Sequence, residues 1–166
     1  MKEIGIVKRI HSERGMSMRA EYINPFLQSA TMVLEQMVRI RPNPGELSLK
    51  NVHFKNHYVW VQIGVKGQMN GDIIFGISES VALRIISAMM GGFVITEIDE
   101  IGKSAISELG NMISGNASTI LSNQGVHIDI SPPRVVELEH FDPRKALTIP
   151  LIMEGIGEME IQVAIM

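Results

Sequence analysis

The 166-residue sequence contains no cysteine. Without thiols, the chain can form no disulfide, cysteine-ligated zinc site or iron–sulfur cluster, and it has no thiol nucleophile. Apolar runs of the ~18–20 residues that a membrane-spanning helix needs are also missing. Charged residues recur through the first 17 positions, which is not the pattern of a secretory signal peptide. We therefore expect a cytoplasmic protein with no membrane association.

An excess of positive charge is missing too. The 15 Lys and Arg residues are outnumbered by 18 Asp and Glu residues, which gives a formal net charge of −3. Proteins dedicated to nucleic-acid binding usually show a basic footprint, so we expect no nucleic-acid partner. What the chain does have is 45% hydrophobic residues in a length that suits one domain with its own core.

The order of helix and strand signals predicts an α+β fold. Apolar residues recur at helical spacing over residues 24–38, 79–90 and 96–123. Strands are predicted at residues 57–65, 70–78, 126–130, 147–153 and 159–166, with a weaker one at 52–54, and residues 39–47 are predicted to be a loop. The first and third helices each precede a set of strands. This order indicates internally duplicated helix-plus-strands units and a largely antiparallel sheet packed by long helices.

Two of the predicted helices begin with capping signals. Asn24 followed by Pro25 is typical of an N-cap and a first helical position. Thr96 followed by Asp99 resembles a capping box with Asp in place of Glu. Residues 1–17 are predicted to be an extension that precedes a single domain over residues 18–166.

The third predicted helix has two contrasting sides. One is an apolar sector that we expect to pack on the sheet, formed by Ile98, Ile101, Ala105, Leu109, Met112, Ile113 and Ile120. Nearly opposite lies a polar stripe formed by Ser104, Glu108, Asn111, Gly115, Ser118 and Ser122. A solvated helix face normally carries several charged residues, whereas this stripe has one carboxylate, one carboxamide and otherwise small residues. Composition alone favours close packing of a neighbouring helix against it.

The spacing Ser104-x3-Glu108-x2-Asn111, followed by Pro132-Pro133, resembles the signature of the CheC/CheX/FliY phosphatases of bacterial chemotaxis. The segments SAMMGG (87–92), ISELGNMISG (106–115) and VHIDISPP (126–133) are similar to the CheX branch. The resemblance covers residues 18–166 and is strongest over 78–136. It implies a CheC-like fold and removal of the phosphoryl group from an aspartate of a CheY-like response regulator.

The resemblance also implies roles for individual residues. Asn111 would orient a water for attack on phosphorus, and Glu108 would contact a lysine beside the aspartyl phosphate of the partner. Ser104, Gly115 and Ser118 would contact the partner, with Gly115 permitting close docking. Mg²⁺ would be held by the receiver domain of the response regulator, so no metal or cofactor is expected on this chain. The resemblance further implies a homodimer formed by joining sheets.

A second copy of the motif lies in the first helix, as Ser17-x3-Glu21-x2-Asn24. Because a residue before proline is pushed away from helical geometry, Pro25 predicts that Glu21 and Asn24 do not lie together on a regular helix. The five histidines show no complete metal-binding spacing and are predicted to be surface residues: His11, His53, His57, His127 and His140.

Two other functions fit the same resemblance. The chain could be a non-catalytic module that docks a receiver without hydrolysis, although the presence of both Glu108 and Asn111 argues against this. It could also be an adaptor in the flagellar switch, since related modules occur there.

Overall fold

The computed structural model describes residues 17–136 and 143–165. Within them, the helices are α1 (Ser17–Val38), α2 (Glu79–Met89) and α3 (Glu100–Asn123). The strands are β1 (Asn43–Pro44), β2 (Ser48–Asn51), β3 (Tyr58–Gly67), β4 (Gly71–Ser78), β5 (Ile128–Ile130), β6 (Arg134–Val135), β7 (Lys145–Met153) and β8 (Gly157–Ile165). The predicted extension lies outside the described residues except for Ser17, which is helical.

The eight described strands form one antiparallel sheet in the order β1–β7–β8–β4–β3–β5, with β2 also paired to β7 and β6 to β3. The chain runs twice through a helix, two short strands and a long hairpin. The short strands of each unit pair with the hairpin of the other unit. The predicted α+β fold with duplicated units is confirmed, and the pairing shows that the two units are interlocked.

The three helices pack on one face of this sheet, where the main hydrophobic core lies. Phe26 of α1, Phe75 of β4 and Leu109 of α3 are fully buried in it. A smaller cluster around Trp60 fills the opposite face. Along β3, Val59 and Val61 lie in the main core while Trp60 between them lies in the smaller cluster, as the two-residue period of a strand requires.

The first helix starts earlier than its sequence signals predict. It begins at Ser17 and continues through Pro25, so Asn24 is not its N-cap. Proline removes one backbone hydrogen bond and costs a helix interior about 3 kcal/mol. The side chains of Ile23, Phe26 and Leu27 around it are fully buried, and their packing outweighs that cost.

The third helix starts later than predicted, at Glu100. Its N-cap is Asp99 rather than Thr96, because the Asp99 side chain accepts a hydrogen bond from the backbone N–H of Gly102 at 2.8 Å. The predicted core residue Ile101 is 62% exposed. The buried side of α3 includes small residues that an apolar pattern overlooks, and it comprises Gly102, Ile106, Leu109, Gly110, Ile113, Ser114, Ala117 and Leu121.

Two short elements also differ from the prediction. The residues 39–47 that were expected to be a loop contain β1, and the weak strand expected at 52–54 is replaced by β2, which ends at Asn51. Val52 is nevertheless buried, since it packs into the cluster around Trp60. None of the helices in the described ranges combines the length and apolarity needed to cross a bilayer.

Candidate functional site

The polar stripe of α3 lies on the accessible side of the molecule. Ser104 and Glu108 are exposed, while Asn111, Gly115 and Ser118 are half-buried. A Cβ atom placed on Gly115 would meet no atom of the described residues within 4 Å. Close packing by a neighbouring helix therefore does not explain the small residues of the stripe, at least within 17–136 and 143–165.

Glu108 and Asn111 are the chemically functional groups of this stripe. They lie three residues apart in a regular helix, so their side chains project from the same side. Neither has a hydrogen-bond or ion-pair partner among the residues that the structure describes. A carboxamide can both donate and accept hydrogen bonds, which suits it to hold a water in one orientation. A free carboxylate can pair with a cation of a partner.

A groove of about 500 Å³ runs beside Glu108. It is lined by Glu100, Lys103, Ser104, Ser107, Glu108, Pro133 and Val135. Pro133 lies between β5 and β6, so the structure brings the two parts of the sequence signature to one place. Sequence reasoning missed Lys103, whose Nζ lies 3.3 Å from Oε1 of Glu100. The sequence signal that could have identified Lys103 was its position directly before Ser104, the first residue of the motif.

The turn of α3 that carries Asn111 is held from two directions. The Ser29 hydroxyl of α1 donates a hydrogen bond to the backbone carbonyl of Ile113 at 2.7 Å. On the sheet side, Gly110 lies so close to β3 that a Cβ there would be 3.2 Å from Cγ1 of Val61. These contacts hold the backbone on both sides of Asn111 through its buried neighbours Gly110 and Ile113. The Asn111 side chain itself stays accessible.

The second copy of the motif is arranged differently. Because α1 continues through Pro25, Glu21 and Asn24 do lie on one helix, contrary to the prediction. Glu21 is exposed, but Oδ1 of Asn24 is buried and has no hydrogen-bond partner among the described atoms. Asn24 as a whole is half-buried, as Asn111 is, but a buried amide oxygen cannot accept a hydrogen bond from a water at the surface.

A cluster of charged groups lies on the opposite face of the sheet. Nε2 of His53 is 2.6 Å from Oε1 of the buried Glu160, so His53, which was predicted to be a surface residue, is half-buried against this carboxyl group. Lys55 Nζ lies 2.9 Å from Glu160 and 3.2 Å from Glu158. The hydroxyl of Tyr58 donates to Oε1 of Glu158 at 2.5 Å.

These contacts shift the protonation equilibria of the cluster. Burial alone would lower the pKa of Lys55, but the hydrogen bonds and negative charges of Glu160 and Glu158 outweigh it and raise the pKa. The hydrogen bond from Tyr58, aided by Lys55, lowers the pKa of Glu158 despite its partial burial. The cluster thus ties the segment after β2 to β8. It does not contribute to the polar stripe.

Metal ligands are not grouped in the described part of the chain. No three His, Asp or Glu side chains there lie close enough to hold a metal ion. His57 and His127 are exposed, and His11 and His140 lie outside the described residues.

Known proteins resemble this chain in both sequence and fold. Residues 59–155 match the family model described as chemotaxis phosphatase CheX. The CheY-P phosphatase CheX of Thermotoga maritima is 36% identical over 119 residues, which are 72% of this chain and 77% of that protein.

Solved structures extend the likeness over most of the chain. Chemotaxis protein CheX from Vibrio vulnificus has a TM-score of 0.76 at 26% identity and covers 88% of this chain and 99% of its own. The CheX–CheY–BeF3–Mg²⁺ complex from Borrelia burgdorferi contains a chain with a TM-score of 0.69 at 29% identity, covering 87% of this chain and 97% of that one. From the family match, the T. maritima identity and this agreement in fold, we conclude that the chain belongs to the CheX family of chemotaxis phosphatases.

Proposed function

We propose that this protein hydrolyses the aspartyl phosphate of a CheY-like response regulator, and that Asn111 and Glu108 carry the activity. The observation that carries the proposal is the unpartnered Glu108–Asn111 pair on an accessible helix face in a chain of the CheX family. The T. maritima relative is a CheY-P phosphatase, and the B. burgdorferi relative is found in a complex with CheY, BeF3 and Mg²⁺. Both support a CheY-like partner.

The two side chains suit the needs of phosphoryl transfer, which depends on positioning and charge stabilisation more than on covalent chemistry. Asn111 would accept one hydrogen bond from a water and donate another, and so aim the oxygen of that water at phosphorus. As the new P–O bond forms, the bond between phosphorus and the aspartate oxygen breaks. The products are inorganic phosphate, which takes the proton of the water, and a free aspartate carboxylate.

Glu108 would act on the partner rather than on the water. Its exposed carboxylate can pair with a lysine beside the aspartyl phosphate, and this pairing favours receivers that carry such a lysine. Ser104, Gly115 and Ser118 present little side-chain volume, so the partner backbone can approach α3 closely. We assign Mg²⁺ to the receiver, where it would neutralise phosphoryl charge, and no cofactor to this chain.

The test is the decay of phosphate on the CheY encoded in the same genome. We expect a small amount of the protein, about one molecule per 20 of CheY-P, to accelerate decay and to release more than one phosphate per molecule, since catalysis is repeated turnover. Unchanged decay together with measurable binding would contradict the proposal and favour the non-catalytic receiver-binding module.

Two expectations from the resemblance stay predictions. We place the protein in the cytoplasm, where response regulators act. The homodimer would need a sheet edge that no strand covers, and within residues 17–136 and 143–165 β2 is such an edge, with Leu49 47% exposed. Light scattering on the purified chain measures the mass directly, and a value near 18.4 kDa would contradict the dimer.

A further inference from the structure

The segment between α2 and α3, together with the first turn of α3, displays large apolar side chains to solvent. Phe93 is 74% and Val94 88% exposed, and Ile101 and Met90 are exposed as well. These four residues, here called the apolar tip, are four of the seven large hydrophobic side chains exposed in the described ranges. Such concentration of apolar surface is unusual for residues without a partner.

The apolar tip is held in place by hydrogen bonds. The Ser87 hydroxyl donates to the carbonyl of Phe93 at 2.5 Å, and the N–H of Gly92 donates to the carbonyl of Ser87 at 2.7 Å. At the other end, Asp99 caps α3, and Gly102 lies close against Ile86 of α2. The apolar side chains are therefore presented by a fixed backbone.

The apolar tip reaches the polar stripe through Ile101. Ile101 precedes Glu108 by seven residues in α3, which corresponds to about 20° around the helix and ~10 Å along it. An interface of ordinary area, ~800 Å² on each side, extends over Ile101 when it is centred on Glu108.

The charges around the apolar tip restrict what can bind there. Residues 85–102 contain Glu97, Asp99 and Glu100, and they are flanked by Arg84 and by Lys103, whose Nζ lies 3.3 Å from Oε1 of Glu100. A negative excess of one charge remains, and it disfavours an anionic membrane surface. In a symmetric contact between two copies of this chain, two surfaces of the same net negative charge would face each other. A basic protein surface is complementary to this negative charge, as is the lysine that the proposed function assigns to the receiver.

We infer that the apolar tip is a docking surface for the receiver domain of the response regulator, and that it sets affinity while Asn111 sets the rate of hydrolysis. The inference rests on the proposed function for the identity of the partner. Its anatomy is that of a protein interface, with exposed aromatic and aliphatic anchors and a polar rim.

The test uses the full chain with Ile101→Ser and, separately, with the double change Phe93→Ser and Val94→Ser. All three side chains are exposed, so the fold should persist, and circular dichroism checks this. Met32→Ser is the matched control, because Met32 is 47% exposed and lines a groove with Ile120. That groove is about 28 Å along α3 from Ile101.

The probe is CheY carrying beryllofluoride and Mg²⁺, titrated against each variant, with CheY-P decay measured in parallel. We expect each tip variant to bind about 10-fold more weakly and to show a correspondingly higher KM with an unchanged kcat. Met32→Ser should match the wild type in both measurements.

The outcomes separate this inference from the proposed function. Wild-type affinity in both tip variants overturns the inference, even if CheY-P decay is accelerated as proposed. Loss of affinity in the tip variants, with no accelerated decay by the wild type, supports the docking surface and contradicts the phosphatase. A tip variant that loses self-association but not receiver affinity also overturns the inference.

Discussion

The hydroxyl of Ser29 donates a hydrogen bond to the main-chain carbonyl of Ile113, 2.7 Å away and 84 residues later in the sequence. Both residues are fully buried, and the bond joins α1 to the turn of α3 that carries Asn111. A helix carbonyl that accepts this second donor is fixed relative to the neighbouring helix. The relationship therefore links the packing of the two repeated units to the position of the proposed catalytic amide.

Replacement of Ser29 by Ala should lower the free energy of unfolding by about 1 kcal/mol, because one buried hydrogen bond between helices is lost. Urea denaturation measures this. Thr31→Val is the control, since the Thr31 hydroxyl bonds only to the carbonyl of Leu27 in its own helix. Equal losses for the two variants would show that the contact between helices has no special value.

Two substitutions at Gly115 should have different effects, one on stability and the other on docking. The position is helical and a Cβ atom there meets nothing described within 4 Å, so Gly115→Ala should stabilise the protein by ~0.5–1 kcal/mol. Gly115→Trp should also fold but should weaken receiver binding, because the indole occupies the space that the partner needs. Thermal unfolding and receiver titration test the two statements separately. A Trp variant with wild-type affinity would remove Gly115 from the docking face.

Reversal of the charge at Glu108 should weaken docking. In Glu108→Lys, a positive charge faces the lysine that we expect on the receiver, so affinity should fall about 10-fold or more, and less at high salt. The same change at Glu154, in the turn between β7 and β8, is the control for altered net charge. If both variants lose affinity equally, the effect is a general electrostatic one and Glu108 has no specific role.

The cluster of Lys55, Glu158 and Glu160, on the face of the sheet opposite the helices, predicts that stability depends on pH. The pKa of Glu158 is lowered in the folded protein from its ordinary value of 4.5. A lowered carboxyl pKa contributes stability above the unfolded value, and this contribution is lost as the pH falls through the folded pKa. Glu158→Gln should therefore be destabilised at pH 7 by about 0.5–1 kcal/mol, a modest value because the carboxylate is partly exposed.

Below pH 4.5 the difference between wild type and Glu158→Gln should shrink as Glu158 becomes protonated. Urea denaturation at a series of pH values from 7 to 3 follows it. A difference that stays constant over this range would assign the effect to packing and not to ionisation.

Much of the fold follows from local sequence patterns. The hairpin of β3 and β4 was placed within two residues, because its β-branched alternation fits a strand with one face on the core. The boundaries of α1 were wrong, since the buried contacts of Phe26 and Leu27 outweigh the local preference of Pro25. The pairing of the short strands with the opposite unit could not be foreseen, because β1 and β6 have only two residues each and the strand signal at residues 126–130, which contains β5, does not identify its partner.

The polar stripe was placed by helical spacing, but composition alone did not give its role. Composition favoured internal packing, whereas the family resemblance implied a docking face, and the exposure of Ser104 and Glu108 and the open space at Gly115 show that the stripe is accessible. Ile101 was assigned to the core because it was counted in the broad apolar sector of the helix. Its spacing of seven residues places it only about 20° from Glu108, and it is exposed, while the adjacent Gly102 takes the buried position against Ile86.

The central claim is tested most directly by the decay of CheY-P with wild type, Asn111→Ala and Asn116→Ala. Asn116 is the matched control, because it is an exposed asparagine on the same helix but outside the polar stripe. We predict that Asn111→Ala loses about 100-fold or more in kcat while it binds beryllofluoride-loaded CheY with wild-type affinity, and that Asn116→Ala behaves as the wild type. Undiminished hydrolysis by Asn111→Ala would contradict the claim.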